Sequence, residues 1–81
     1  MLTDSARHFL IRVTTANLAQ ILWSLSFAVK EELSSSYPHD FYCPASLMAK
    51  WFEDEVNNLT LGQKLDLVKE LCDQIKANKN Y

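Results

Sequence analysis

Apolar side chains recur at the spacing of one helix face through the first half of the chain. The N-terminal residues Thr3, Asp4 and Ser5 each suit a helix N-cap. The pattern predicts a long apolar helix over about residues 4–34, and Phe27 is among the residues that widen its apolar surface. The stripe follows steps of seven, four, three, four and four at Ile11, Leu18, Leu22, Leu25, Val29 and Leu33.

The segment IRVTT, residues 11–15, leaves the continuity of this first helix open. Four of its five residues are β-branched, and Thr14 or Thr15 would cap a new helix, so a break near 14–15 is one alternative. An unbroken helix over 4–34 would be about 45 Å long and would overhang its shorter neighbours. Such an overhang predicts self-association.

A second helix is predicted over about residues 44–57. The preceding helix ends before Tyr37-Pro38, because the residue before a proline avoids the helical region. Pro44 suits the first helical position, where its missing N–H is harmless. The inward side is predicted to be Ala45, Met48, Trp51, Phe52 and Val56.

A third helix is predicted over about residues 61–77, followed by a frayed tail at 78–81. Thr60 and Gln63 have the spacing of a capping box. The predicted apolar stripe is Leu61, Leu65, Val68, Cys72 and Ile75, reinforced by Leu67 and Leu71, and the predicted outer side is Lys64, Asp66, Lys69, Glu70, Asp73 and Lys76. Together these elements predict an all-α bundle of three or four helices, with residues 1–81 as a single domain.

Composition agrees with a helical class and disfavours nucleic-acid binding. The 81 residues include one glycine, two prolines and 48% hydrophobic residues, which favours long regular segments. Eight basic against ten acidic side chains leave a net charge of −2 and no broad positive field for phosphates. Two cysteines, at positions 43 and 72, form no disulfide framework of the secreted kind, so we expect reduced thiols in a cytoplasmic protein.

Two other functional classes were weighed against this pattern. Residues 13–29 carry no charge, so one alternative is a membrane-associated small subunit, but the segment would span only about 25 Å as a helix and holds several polar residues. The second alternative is a helix-turn-helix regulator built from the last two helices. Its recognition helix would offer Lys64 as one cation and then carboxylates that repel phosphates. We therefore expect neither a membrane nor a nucleic-acid partner.

The stretch SSSYPHDFYCP, residues 34–44, raises the possibility of chemistry at His39 and Cys43. Structural zinc needs four ligands, usually in two close pairs, and the sequence supplies no second pair here. A thiol at a helix N-terminus can have a lowered pKa, which would make Cys43 a nucleophile with His39 as its base. No supporting motif follows, so we expect no enzyme activity, no cofactor, no metal and no catalytic residue.

The aromatic side chains of this stretch favour a protein interface instead. Tyr37, Phe41 and Tyr42 either plug the end of the bundle or serve as rigid anchors for a partner. The acidic pair Glu53 and Asp54 lies near the predicted end of the second helix and either is solvated or attracts a basic surface. The candidate partner-binding residues are Tyr37, Phe41, Tyr42, Trp23, Phe27, Glu53 and Asp54.

The sequence therefore predicts a small, non-enzymatic helical module that binds proteins. A second copy of the chain, forming a homodimer, is the expected partner, and the role is that of an adaptor, regulator or assembly subunit.

Overall fold

The structure is a computed structural model that describes residues 2–35 and 39–79. Within these ranges the regular elements are four α-helices and one short 3-10 helix, which confirms the predicted all-α bundle. The elements are α1 (Asp4–Arg12), α2 (Thr15–Ser35), a 3-10 helix (Ala45–Leu47), α3 (Lys50–Asn57) and α4 (Leu61–Lys79).

The first predicted helix is divided at Val13-Thr14, so the broken alternative is the one observed. Val13 is extended, with φ −74° and ψ 142°. The Thr14 hydroxyl accepts the Asn17 N–H at 3.2 Å and thereby caps α2. The overhang expected of an unbroken helix is absent, because the described fold measures only 35 × 27 × 22 Å. Self-association therefore has to be argued from a different feature.

The predicted start of the second helix, at Pro44, is wrong. Residues 45–47 form only a 3-10 turn, Met48 adopts a left-handed conformation with φ 50°, and α3 begins at Lys50. In a continuous helix Cys43 and Glu53 would lie about 15 Å apart. In the fold, the Glu53 carboxylate accepts the Cys43 N–H at 2.9 Å, which requires the chain to turn between them.

The core lies where α2 packs along α4, closed at one end by Phe41 from the loop and Phe52 from α3. Helix α1 joins through Phe9, whose ring centroid lies 4.8 Å from that of Phe52. Two members of the predicted first stripe, Ile11 and Leu33, are instead largely exposed. The largest fully buried side chains are Phe41, Phe52, Leu18, Ile21, Leu25, Leu71 and Val56.

Helix α4 confirms its predicted capping box but is rotated relative to its predicted stripe. Thr60 and Gln63 exchange hydrogen bonds of 3.0 and 3.2 Å. Leu67 and Leu71 are buried, whereas Leu65 is about half exposed. The helix continues through Lys79, two residues past its predicted end, and the rest of the predicted frayed tail, 80–81, lies outside the described residues.

Lys64 was predicted on the outer side of α4 but is only 6% exposed. Its ammonium lies 3.6 Å from the Glu32 carboxylate of α2. A lysine with an apolar stem can occupy a buried helix position when a carboxylate balances its charge, and the sequence alone did not reveal this cross-helix partner.

Candidate functional site

The extended loop at residues 39–43 is fixed to the helices by hydrogen bonds from side chains. The Asn57 side chain at the end of α3 binds Phe41 twice: its Oδ1 accepts the Phe41 N–H at 2.8 Å, and its amide donates to the Phe41 carbonyl at 3.1 Å. These two bonds satisfy the backbone of Phe41 as a neighbouring strand would. The Phe41 ring points into the core.

The next two residues of the loop are held in the same way. The Ser24 hydroxyl of α2 donates to the Tyr42 carbonyl at 2.8 Å and also lies 3.2 Å from the Tyr42 nitrogen, whose N–H it accepts. Glu53 accepts the Cys43 N–H, and this bond, together with the Lys50 ammonium, lowers the pKa of the Glu53 carboxyl below its ordinary value. Because successive side chains of an extended chain point in opposite directions, a buried Phe41 places Tyr42 on the surface.

An open groove of about 430 Å³ lies between this loop and the outer face of α2. Its wall on α2 includes Trp23 and Phe27, and its wall on the loop includes His39, Asp40 and Tyr42. We call these five residues the aromatic groove. Trp23 is 73% exposed and Tyr42 is 61% exposed, so both rings present much of their surface to solvent.

Three rings of the aromatic groove contact one another in sequence: Trp23, Phe27 and His39. Trp23 and Phe27 stack with centroids 6.2 Å apart and planes 22° apart. The His39 ring meets Phe27 edge-on at 5.1 Å, and the Lys30 ammonium lies 5.8 Å from the Phe27 centroid. These contacts place the faces and edges of the rings at the favourable spacings of aromatic pairs.

The structure brings three of the predicted partner-binding residues together and separates others from them. Trp23, Phe27 and Tyr42 all line the aromatic groove. Phe41 is fully buried, so its ring belongs to the core and not to this surface. Tyr37 lies outside the described residues.

Neither residue of the acidic pair lines the groove, and Glu53 does not lie near the C-terminal end of its helix as predicted. Glu53 falls in the first turn of α3, where the helix dipole favours a carboxylate, and its side chain is only 13% exposed. Asp54 is exposed and pairs with Lys50 at 3.0 Å. Glu55 accepts the Thr3 N–H at 2.7 Å. This acidic run therefore has intramolecular partners.

The surroundings of Cys43 disfavour an activated thiol. Burial and the neighbouring Glu53 carboxylate raise the pKa of the Cys43 thiol from 9.0 to about 11. The expected helix dipole is missing as well, because only a single 3-10 turn follows Pro44. Among the described residues, no three His, Cys, Asp or Glu side chains are grouped so that they could hold a metal ion.

Sequence reasoning missed Asp40 on the groove's loop wall and the two residues that hold the loop in place, Ser24 and Asn57. In the sequence, Asn57 is only the last residue of the predicted second helix, and Ser24 is one of the polar residues in the uncharged segment 13–29. Asp40 lies between His39 and Cys43, and the sequence indicates no separate role for it. Nothing in their spacing signals a shared role, because the role depends on the loop lying across α2.

Comparisons with known proteins give no relative to draw on: no family model, no curated protein and no solved structure matches this chain. Within residues 2–35 and 39–79, none of the helices combines the length and the hydropathy that crossing a bilayer requires. The surface of the chain itself is therefore the source of information on its function.

Proposed function

We propose that this chain is a non-enzymatic protein-interaction module that associates with a second copy of itself through the aromatic groove. It would serve as an adaptor, regulator or assembly subunit. The observation that carries the proposal is the position of Trp23, which is 73% exposed at the wall of a groove that also presents Phe27 and Tyr42.

Physical reasoning supports an interface at this position. Covering an exposed tryptophan or phenylalanine contributes about 2–3 kcal/mol. Tryptophan and tyrosine are also enriched among the few residues that dominate binding energy. Because Ser24 and Asn57 already hold the backbone of Phe41 and Tyr42, a partner does not have to order this part of the loop.

Other features support an interaction role over the alternatives considered. The raised pKa of Cys43 disfavours thiol catalysis at neutral pH. The helix-turn-helix alternative depended on an exposed Lys64, and that side chain is buried against Glu32. Another groove of about 350 Å³, between α2 and α4, exposes Leu33 and Leu65 and is one competing interface on the described surface.

The test is the mass in solution, measured by sedimentation over a concentration series. We expect the wild type to form dimers at roughly 100 µM and below. Trp23→Ala should weaken dimerisation at least about tenfold, since it removes the largest ring from the groove. Leu33→Ala is the matched control, because it removes an exposed apolar side chain from the same helix but from the groove between α2 and α4.

A wild type that stays monomeric at roughly 100 µM would contradict the proposal. If the dimer persists in Trp23→Ala but is lost in Leu33→Ala, the interface lies at the groove between α2 and α4. Thermal unfolding of each variant checks that the fold is retained, which we expect because both side chains are mostly exposed.

A further inference from the structure

The C-terminal end of α1 presents an exposed pair of residues whose chemistry is complementary to the aromatic groove. Ile11 is 71% exposed although it belongs to an apolar stripe, and Arg12 beside it is exposed in the last turn of α1. The chain has two arginines, and the other one, Arg7, already contacts Glu70 at 3.4 Å. Within the described residues, Arg12 forms no ion pair.

The aromatic groove offers what a guanidinium group binds. A planar guanidinium stacks on the face of a tryptophan or tyrosine and pairs with a carboxylate through two parallel hydrogen bonds. Trp23 and Tyr42 supply the exposed rings, and Asp40 supplies an exposed carboxylate at the same groove. Asp40, like Arg12, forms no ion pair among the described residues.

The nearby Lys30 does not cancel this complementarity. Its ammonium lies 3.8 Å from the Glu31 carboxylate, so its charge is partly balanced. Its position 5.8 Å from the Phe27 centroid also gives one example, within the same surface, of a cation resting against a ring of the groove. The exposed lysines are less suitable than Arg12 as occupants, because an ammonium cannot stack or form the paired hydrogen bonds.

Resting on the proposed self-association, we propose that Ile11 and Arg12 of each copy dock into the aromatic groove of the other copy. The guanidinium of Arg12 lies on the Trp23 ring and pairs with Asp40, while Ile11 covers the neighbouring aromatic surface. Since a single chain carries both the docking pair and the groove, a two-fold axis makes the contact twice and closes the dimer. An exposed ion pair alone contributes only about 0–1 kcal/mol, so the doubled apolar contact supplies most of the stability and the charges supply the register.

The experiment exchanges the two charges and mixes the products. Arg12→Glu places two carboxylates together at both contacts, and Asp40→Arg places two guanidinium groups together. We expect each variant alone to dimerise at least about tenfold more weakly than the wild type. In an equimolar mixture, one contact pairs the introduced glutamate with the introduced arginine and the other pairs native Arg12 with native Asp40. The mixture should therefore recover dimers within about threefold of wild-type affinity.

The matched control is Lys76→Glu, which makes the same change of charge on the exposed side of α4 and should leave dimerisation unchanged. If the wild type dimerises but the mixture fails to recover, or if neither single variant weakens the dimer, the docking of Arg12 is wrong while self-association stands. Assemblies that grow beyond a dimer with concentration would contradict the closed two-fold contact. A monomeric wild type would overturn both the docking and the proposed function.

Discussion

Among individual residues, Cys43 shows how burial decides reactivity. Its thiol is half-buried beside the Glu53 carboxylate, and both effects disfavour the thiolate, so its pKa rises to about 11. We expect alkylation near pH 7.5 to be roughly tenfold slower than for an ordinary thiol, after allowing for the greater nucleophilicity of a more basic thiolate. The rate should keep rising with pH until about 11. Iodoacetamide kinetics against pH, in a Cys72→Ser background, provide the measurement.

The same variant unfolded in guanidinium is the control, because unfolding removes both burial and the Glu53 neighbour. Its thiol should react at the ordinary rate. A folded-state rate that already levels off near pH 8 would show an activated thiol and would contradict the electrostatic argument.

The buried ion pair between Lys64 and Glu32 carries a second prediction at this scale. Glu32→Gln leaves the Lys64 ammonium without a balancing charge, and we expect the free energy of unfolding to fall by about 1–2 kcal/mol. The loss is smaller than for a fully buried pair, because the Glu32 side chain is 23% exposed. Combining Lys64→Met with Glu32→Gln should recover most of this loss, since the double variant keeps an apolar stem and leaves no unbalanced charge.

Chemical denaturation of the variants measures these differences. Glu31→Gln is the adjacent control: its partner Lys30 is largely exposed, so we expect a change below about 0.5 kcal/mol. Equal losses for Glu31→Gln and Glu32→Gln would mean that burial of Lys64 adds nothing to the pair.

Among the secondary elements, the loop at residues 39–43 is held in its conformation by the side chain of Asn57. Asn57→Ala removes both hydrogen bonds to Phe41 and leaves its partly buried N–H and carbonyl unsatisfied, so we expect a loss of about 1–3 kcal/mol in unfolding free energy. Asn58→Ala is the matched control, because Asn58 is exposed and caps α3 through its backbone. Denaturation curves in which the two variants lose equal stability would contradict a special role for Asn57.

The helices show which features a sequence reveals. Thr60 and Gln63 predict the start of α4 correctly, because a capping box is a local sequence pattern. The possible cap at Thr14 is visible in the sequence. Whether it breaks the helix depends on tertiary packing, so the sequence leaves one helix or two as open alternatives. The predicted start of α3 was wrong because the hydrogen bond from the Cys43 N–H to Glu53 is a tertiary contact. Helix propensities describe local preferences and do not include such contacts.

In the candidate site, too, local features were predictable from the sequence and tertiary ones were not. Trp23, Phe27 and Tyr42 could be selected as anchors from residue type alone. Phe41 is a phenylalanine like Phe27, but its ring is buried. In an extended loop, neighbouring side chains point to opposite sides, so Phe41 and Tyr42 cannot both lie at the surface. The contribution of Asp40 to the groove could not be anticipated, since the groove exists only where the loop crosses α2.

Over the described part of the molecule, three of the four exposed aromatic side chains, Trp23, Phe27 and Tyr42, line one groove, and the fourth, Trp51, lies outside it. A chain of 81 residues buries a limited fraction of its surface and has a small margin of stability. The exposed Trp23 ring does not contribute to the buried apolar area of the core. A second copy that covered the ring would bury that area. Dimerisation by mass action would then stabilise the folded chain, so its thermal midpoint should increase with concentration.

Tryptophan fluorescence tests this view directly, because the chain has two tryptophans in different surroundings. Trp51→Phe leaves Trp23 as the reporter, and its emission should move to shorter wavelength as concentration rises and the groove is covered. Trp23→Phe leaves Trp51, which already contacts Phe9 and Phe52 at centroid distances of 5.4 and 6.0 Å and should not respond. Adding Arg12→Glu to the Trp51→Phe variant should abolish the shift. A shift from Trp51 together with none from Trp23 would place the interface outside the aromatic groove.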